Sequence, residues 1–201
     1  VKHLPLLLAV AALLSPSAVS ADADSVRHLR YALTARIGAD IRQASIDVDF
    51  GRWTATHGMH LVIDERVRGD DLGALRVTIE PSGAILGATD DLTFEEETVL
   101  GMLGLQFENM TGVDRGDAWD RSGDLATGTQ MTHFAVERSG TLVDLDVTRT
   151  IAFTDGTSGF WRGAVRYNAA NVVPTSIAIS GEVAQRAVAL RAELTDDTFG
   201  R

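Results

Sequence analysis

Hydrophobic and polar positions alternate along most of this chain. In "HLRYALTARIG", Leu29, Tyr31, Leu33, Ala35 and Ile37 fall on one side, and His28, Arg30, Thr34 and Arg36 on the other. A period of two marks a strand with one buried and one wet face. The pattern recurs with Ile46, Val48 and Phe50 in "ASIDVDFG", Met59, Leu61 and Ile63 in "GMHLVIDERV", and Leu75, Val77 and Ile79 in "ALRVTIEPSG". Pro81-Ser82-Gly83 is a turn, because proline presets φ and glycine tolerates positive φ. Farther on, "TGTQMTHFAVERSGTLVDLDVTRTIAF" predicts two long strands about a turn near Arg138-Ser139-Gly140. Phe134 and Val136 should share a face with Val143, Leu145, Val147, Ile151 and Phe153. After the loop "TDGTSG" come "FWRGAVRYN", a turn at "AANVVP", "TSIAISGEVA" and "AVALRAEL".

Consecutive β-runs joined by short turns predict a meander of antiparallel neighbours. About nine or ten strands are expected, too many for a flat sheet, so strong curling follows. One stretch breaks the rule. In "TFEEETVLGMLGLQFENM", residues 93–110, Val99, Leu100, Leu103, Phe107 and Met110 recur at helical spacing. Thr93 and Glu96 have the spacing of a capping box, and Glu95, Glu96 and Glu97 suit the positive end of a helix dipole. The expected class is therefore mainly β (α+β): a curled antiparallel meander or half-barrel with one amphipathic helix across its concave face. Gly101 and Gly104 each weaken that helix by about 1 kcal/mol relative to alanine. They either admit a strand at close range or make the helix easier to displace.

The helix either completes an ordinary core or roofs a pocket for an apolar guest. Met59, Met102, Met110 and Met131 add flexible apolar side chains, which suit variable guests and core gaps alike. Under the pocket reading Phe94, Leu100, Leu103, Phe107, Leu145, Val147 and Val165 line the ligand site.

The first residues are of another kind. Lys2 and His3 precede the apolar run "LPLLLAVAALL" and then "SPSAVSA", whose small residues suit a cleavage site. Residues 1–21 thus read as a secretory signal peptide, the run being short of the roughly 20 residues that span a bilayer. Residues 22–201 are expected to be a single β-rich domain, periplasmic or secreted, large enough to bury about 70% of its unfolded surface. The chain has no cysteine, which excludes disulfides and a lipidated cysteine at the cleavage site. No later apolar run predicts a transmembrane anchor.

The 201-residue chain carries 18 basic and 28 acidic residues. Its pI of 4.8 argues against nucleic acid and against anionic lipid surfaces as partners bound through charge. A hydrophobic ligand or an envelope protein remains the expected partner.

A meander, a helix, "GVDRGDAWDR" with Gly116, Asp117 and Trp119, and a late hairpin between Tyr167 and Pro174 resemble exported bacterial proteins of the LolA/LprG half-barrel type. The resemblance implies a curled antiparallel sheet with a helical lid, and carriage of lipids or of lipoprotein acyl chains. The missing cysteine departs from the lipidated branch, so membrane tethering is not implied.

Candidate chemistry is sparse. His57 and His60 in "HGMH" lie where a turn becomes a strand, so positions three apart face opposite sides. His133 is expected on the outer face. Asp114, Asp117, Asp120 and Asp124 read as a solvated loop, since the calcium-loop spacing is absent. Asp70-Asp71 and Asp90-Asp91 read as turn residues. Trp53, Trp119 and Trp161 are too dispersed for a sugar platform and are expected at strand ends. There is no G-x-S-x-G, no S-x-x-K and no phosphate loop. No catalytic residue, metal ligand or cofactor is assigned. The expected function is non-enzymatic binding or carriage of an apolar ligand such as a lipid; the alternative is a cell-envelope structural or interaction module with a solid core.

Overall fold

The structure, a computed structural model, describes residues 27–51, 58–67, 70–80, 85–87, 92–103, 113–125, 128–169 and 173–198. Residues 1–26, the turn at 81–83, Trp53, His57, Asp90-Asp91, Gly104, Phe107 and Met110 lie outside the described residues.

The chain is mainly β. Its strands are β1 (Arg27–Ile37), β2 (Asp40–Phe50), β3 (Met59–Val67), β4 (Asp70–Asp71), β5 (Leu75–Ile79) and β6 (Ile85–Gly87). After the helix α1 (Phe94–Leu103) come β7 (Ala118–Leu125), β8 (Gly128–Arg138), β9 (Leu142–Phe153), β10 (Ser158–Asn168), β11 (Val173–Val183) and β12 (Arg186–Asp197). Eleven of them hydrogen-bond in the order β6-β5-β3-β2-β1-β12-β11-β10-β9-β8-β7, and the two-residue β4 pairs β3 off this path. Every pairing is antiparallel.

The first and last strands meet in the middle, with Tyr31 opposite Leu194 and Leu33 opposite Ala192. Two arms extend from this pair. The short arm ends at β6 and the long arm at β7, and the helix lies in the chain between those two edges. The sheet is open, because β6 and β7 each pair on one side only among the described residues.

Eleven strands in line correct the expected nine or ten. The additional one is β7, "AWDRSGDL", whose acidic composition predicts a loop. It pairs with β8 from Ala118 opposite Ala135 to Leu125 opposite Gly128. Trp119 stacks on Phe134 with ring centroids 5.4 Å apart. A cross-strand aromatic pair and a full backbone ladder outweigh the low β-propensity of Asp and Gly.

The alternation seen in the sequence is the burial pattern of the structure. Leu29, Tyr31, Leu33, Ile46, Val48, Ile63, Val77 and Ile79 on one arm, and Phe134, Val136, Leu145, Val147, Val165 and Ile177 on the other, belong to one buried apolar cluster. Bending aids are built into the long arm and the central pair. Register shifts at Arg30/Tyr31, Val136/Arg138 and Arg166/Tyr167 raise the local twist. Gly163 sits where a Cβ would lie 1.9 Å from the Ala178 carbonyl oxygen, so only glycine permits this approach of β10 to β11.

The helix begins as its capping box predicts. The Glu96 amide donates to Thr93 Oγ1 at 3.1 Å, and the Thr93 amide donates to Glu96 Oε2 at 2.9 Å. Its burial is not confined to one stripe: Glu95, Glu96 and Thr98 are buried along with Val99, Leu100, Met102 and Leu103. Among the described residues no helix is long and apolar enough to cross a membrane.

Candidate functional site

Polar side chains interrupt the inward apolar register at several positions, and three of them, Arg42, Glu65 and Arg149, meet the helix or its cap. Arg42 follows the parity of Ile46 and Val48 on β2, and Glu65 that of Leu61 and Ile63 on β3. Thr132 precedes Phe134 on β8, and Arg149 lies between Val147 and Ile151 on β9.

The first two meet the start of the helix. Thr93 Oγ1 donates to Glu65 Oε2 at 2.6 Å, linking the cap residue to β3. Glu65, Glu95 and Glu96 are all essentially inaccessible to solvent. Glu65 Oε1 and both carboxylate oxygens of Glu95 lack a hydrogen-bond donor. The nearest cation is Arg42, whose Nε stands 3.6 Å from Glu95 Oε1, an ion-pair distance beyond that of a good hydrogen bond. Burial pushes the Glu65 carboxyl above its ordinary pKa, and the Glu95 charge adds to this, against the hydrogen bond from Thr93 and the charge of Arg42. Burial likewise raises Glu96, with the Thr93 amide opposing. Three acids, two of them with raised proton affinity, therefore crowd one helix end.

Arg149 meets the flank of the helix, and Thr132 holds it there. Arg149 is buried, donating from Nε to Thr132 Oγ1 at 2.9 Å. Its guanidinium lies over the Trp161 ring, 4.7 Å from the centroid. Its Nη1 reaches Glu97 Oε1 on the helix at 3.4 Å. A Cβ on Gly101 would lie 3.0 Å from Arg149 Nη2, which explains a glycine in mid-helix: it lets the helix settle onto the arginine. Burial lowers the Arg149 pKa; Glu97 opposes this and the charge of Arg121 adds to it. A third contact pins the last turn, where Tyr167 Oη donates to the Met102 carbonyl oxygen at 2.9 Å. Tyr31 makes a similar bond to the Pro174 carbonyl oxygen at 2.9 Å, within the sheet.

The residues assigned to a ligand site come together in part. Leu100 and Leu103 on the helix and Leu145, Val147 and Val165 on β9 and β10 are buried in one cluster, and Phe94 packs against it half-buried. Phe107 lies outside the described residues. Trp161, expected at a strand end, is buried within β10, where it carries the arginine. An open cleft of about 420 Å³ at the ends of β7, β8 and β9 is lined mostly by the exposed Ser122, Thr129, Met131, Thr150 and Ala152, with Gly123, Gln130 and Ile151. Gln130 and Ile151 are partners in register, adjacent to the Thr132–Arg149 pair.

His60 and His133 lie apart from this seam. His133 is exposed and pairs with Asp120 at 2.7 Å, and His60 meets Thr78 Oγ1 at 2.9 Å. Among the described residues no cluster of three or more His, Cys, Asp or Glu is placed to hold a metal ion. Glu65 and Arg149 were not singled out from the sequence. The signal was present, since each is a charged residue at the inward parity of its own strand.

Comparison with protein-family models, with curated proteins and with solved structures finds no match.

Proposed function

We propose that this is a non-enzymatic, exported protein that binds or carries an apolar ligand such as a lipid or acyl chain, held between the inner face of a half-barrel and the helix. Glu65 on β3 and Arg149 on β9 are six strand spacings apart in the order β3-β2-β1-β12-β11-β10-β9. That is roughly 29 Å along a sheet at about 4.8 Å per strand. Both touch α1 or its cap, although ten helical residues span only about 15 Å. A sheet that bends around the helix reconciles the two lengths and supports a concave face with the helix across it.

The observation that carries the reading is the quality of the helix's seat. A helix meant only to complete a core gains from apolar contact all round. This one buries three carboxylates, leaves three of their oxygens without donors, and meets its arginine at 3.4 Å. Such contacts hold a lid in one place while keeping its release inexpensive. The guest would be bound through apolar area, worth about 25 cal/mol per Å² buried.

Mass spectrometry of an organic extract of protein purified from its native host, with displacement of a fluorescent acyl probe, tests this. A reproducible lipid and probe binding are the expected results. Empty protein that ignores every acyl probe overturns the proposal.

A second reading is favoured by one observation: Leu100, Leu103, Leu145, Val147 and Val165 are as buried as any core residue. An envelope interaction module with a solid core would show this too, and would use its sheet edges or loops to meet a partner. Failure of acyl binding together with retained association in envelope extracts would select it.

A further inference from the structure

The inner face of the long arm ends in a polar row, and this row says what kind of amphiphile fits; the inference rests on the carrier reading. Arg121 on β7 pairs with Thr132 on β8, Thr132 with Arg149 on β9, and Arg149 with Trp161 on β10. Arg121 is half-buried and shares the parity of Trp119, which stacks on Phe134 of the apolar cluster. The row therefore brings two guanidinium-bearing residues to one edge of an apolar interior. Beside it lies Gln130, whose buried Oε1 lacks a partner.

A buried guanidinium is not needed to fill this core; a leucine would fill it without loss of solvation. It is held in a fixed orientation by Thr132 and the Trp161 face, which preorganises its planar donors for an oxyanion. The carboxylate that reaches it belongs to Glu97, one-third exposed and 3.4 Å away. We propose that Arg149, with Arg121 beside it in the same row, anchors the anionic head of an amphiphile, a carboxylate or phosphate group on an acyl chain, and that Glu97 holds that place while the helix is seated. Arrival of the head displaces Glu97, and the chain takes the apolar face that the helix covers. The ligand thereby competes with the lid at a charged contact as well as an apolar one.

The test uses the full chain and displacement of an uncharged fluorescent acyl probe by dodecanoate, dodecyl phosphate, dodecanol, dodecyltrimethylammonium and inorganic phosphate. Dodecanoate and dodecyl phosphate should bind roughly ten- to a hundredfold more tightly than dodecanol, as expected for a hydrogen-bonded charge. The cationic analogue should be the weakest of the chains, and inorganic phosphate should leave the probe in place. Arg149→Gln should bring the dodecanoate-to-dodecanol affinity ratio to about one, a readout that a change in helix seating common to both chains does not move. Glu97→Gln, a partly exposed site, should raise the dodecanoate-to-dodecanol affinity ratio severalfold, since any loosening of the helix acts on both chains alike; it also decides the matter if the arginine variant fails to fold. Equal affinity for dodecanoate and dodecanol, or an anionic preference that survives Arg149→Gln, or no gain in Glu97→Gln, overturns the head-group site while leaving the carrier reading intact. Inorganic phosphate that binds as tightly as dodecyl phosphate overturns it in favour of a free-anion site. Failure of every chain to bind sinks the carrier reading itself.

Discussion

Glu65 Oε2 takes the hydroxyl hydrogen bond of Thr93 at 2.6 Å, while the other oxygen of the same carboxylate is buried without a donor. One acid thus ties the helix cap to β3 and carries an unmet desolvation cost whenever it is ionised. The sign of the resulting pH dependence is fixed. Glu65 and Glu96 have folded-state pKa values raised by burial, so folding favours their protonated forms. Their contribution is fully present below the ordinary glutamate pKa of about 4.3 and is lost as pH rises through the raised folded values. Urea denaturation from pH 4 upward should show wild type losing stability relative to Glu65→Gln over that interval. Comparison with the variant isolates the group from carboxylates of opposite behaviour, such as Asp144, whose pKa is lowered first by its hydrogen bond from Arg166. Parallel pH curves for the two proteins would refute it.

Glu95 makes the same point without a hydrogen bond. Both of its oxygens lack donors, and Arg42 stands at 3.6 Å. Arg42 keeps partial access to water, so it tolerates loss of the partner. Replacing a poorly compensated buried charge by an apolar side chain of similar volume is often stabilising, by about 1–4 kcal/mol. Glu95→Met should therefore raise the denaturation midpoint, even after losing a favourable dipole interaction of about 0.5 kcal/mol. Acyl-probe uptake should slow in the same variant, because the lid seats more firmly. A less stable Glu95→Met protein would show that the carboxylate is compensated in solution.

Period-two alternation made the strands of both arms legible, and the spacing of Thr93 and Glu96 made the helix start legible. Each is a local signal, decided by residues close in sequence. β7 was hidden because its stability comes from a ladder to β8 and from Trp119 on Phe134, while its own composition is that of a loop. The join of β1 to β12 was likewise out of reach, since it pairs Arg27 with the far end of the chain: its side chain bonds Asp197 at 2.6 Å. The polar seats were half-legible. Arg42, Glu65 and Arg149 each sit at the inward parity of their strand, a signal the sequence reading passed over, and what makes them a site is the helix that reaches all three, a property of the assembled sheet.

Tyr167 and Tyr31 form a matched pair for testing what the helix contributes. Each hydroxyl is buried and donates to a carbonyl at 2.9 Å, Tyr167 to Met102 on the helix and Tyr31 to Pro174 on β11. Tyr→Phe at either site should cost about 1 kcal/mol, the net worth of such a bond with some cost for the orphaned carbonyl. The two losses differ in where they fall. Hydrogen exchange of the α1 amides should quicken in Tyr167→Phe beyond the change expected from global stability, and should follow global stability alone in Tyr31→Phe. Equal effects on α1 in the two variants would mean the helix does not open as a unit of its own.

Gly101 and Arg149 provide the sharpest test of the helix's seat. On helix propensity alone Gly101→Ala should stabilise by about 1 kcal/mol. Its Cβ, however, would stand 3.0 Å from Arg149 Nη2. The arginine has little room to yield, being held by Thr132 on one side and the Trp161 ring on the other. Crowding of a packed contact costs about 1–3 kcal/mol, so the single variant should be neutral to destabilised. In an Arg149→Met background the clash is relieved, because an unbranched thioether adapts, and the same Gly101→Ala change should then stabilise. The double-mutant cycle should give a coupling of about 1–2 kcal/mol, in the range found for residues in direct contact. Additivity within about 0.5 kcal/mol would place the helix away from Arg149 in solution, and would remove the contact on which both the lid and the head-group site depend.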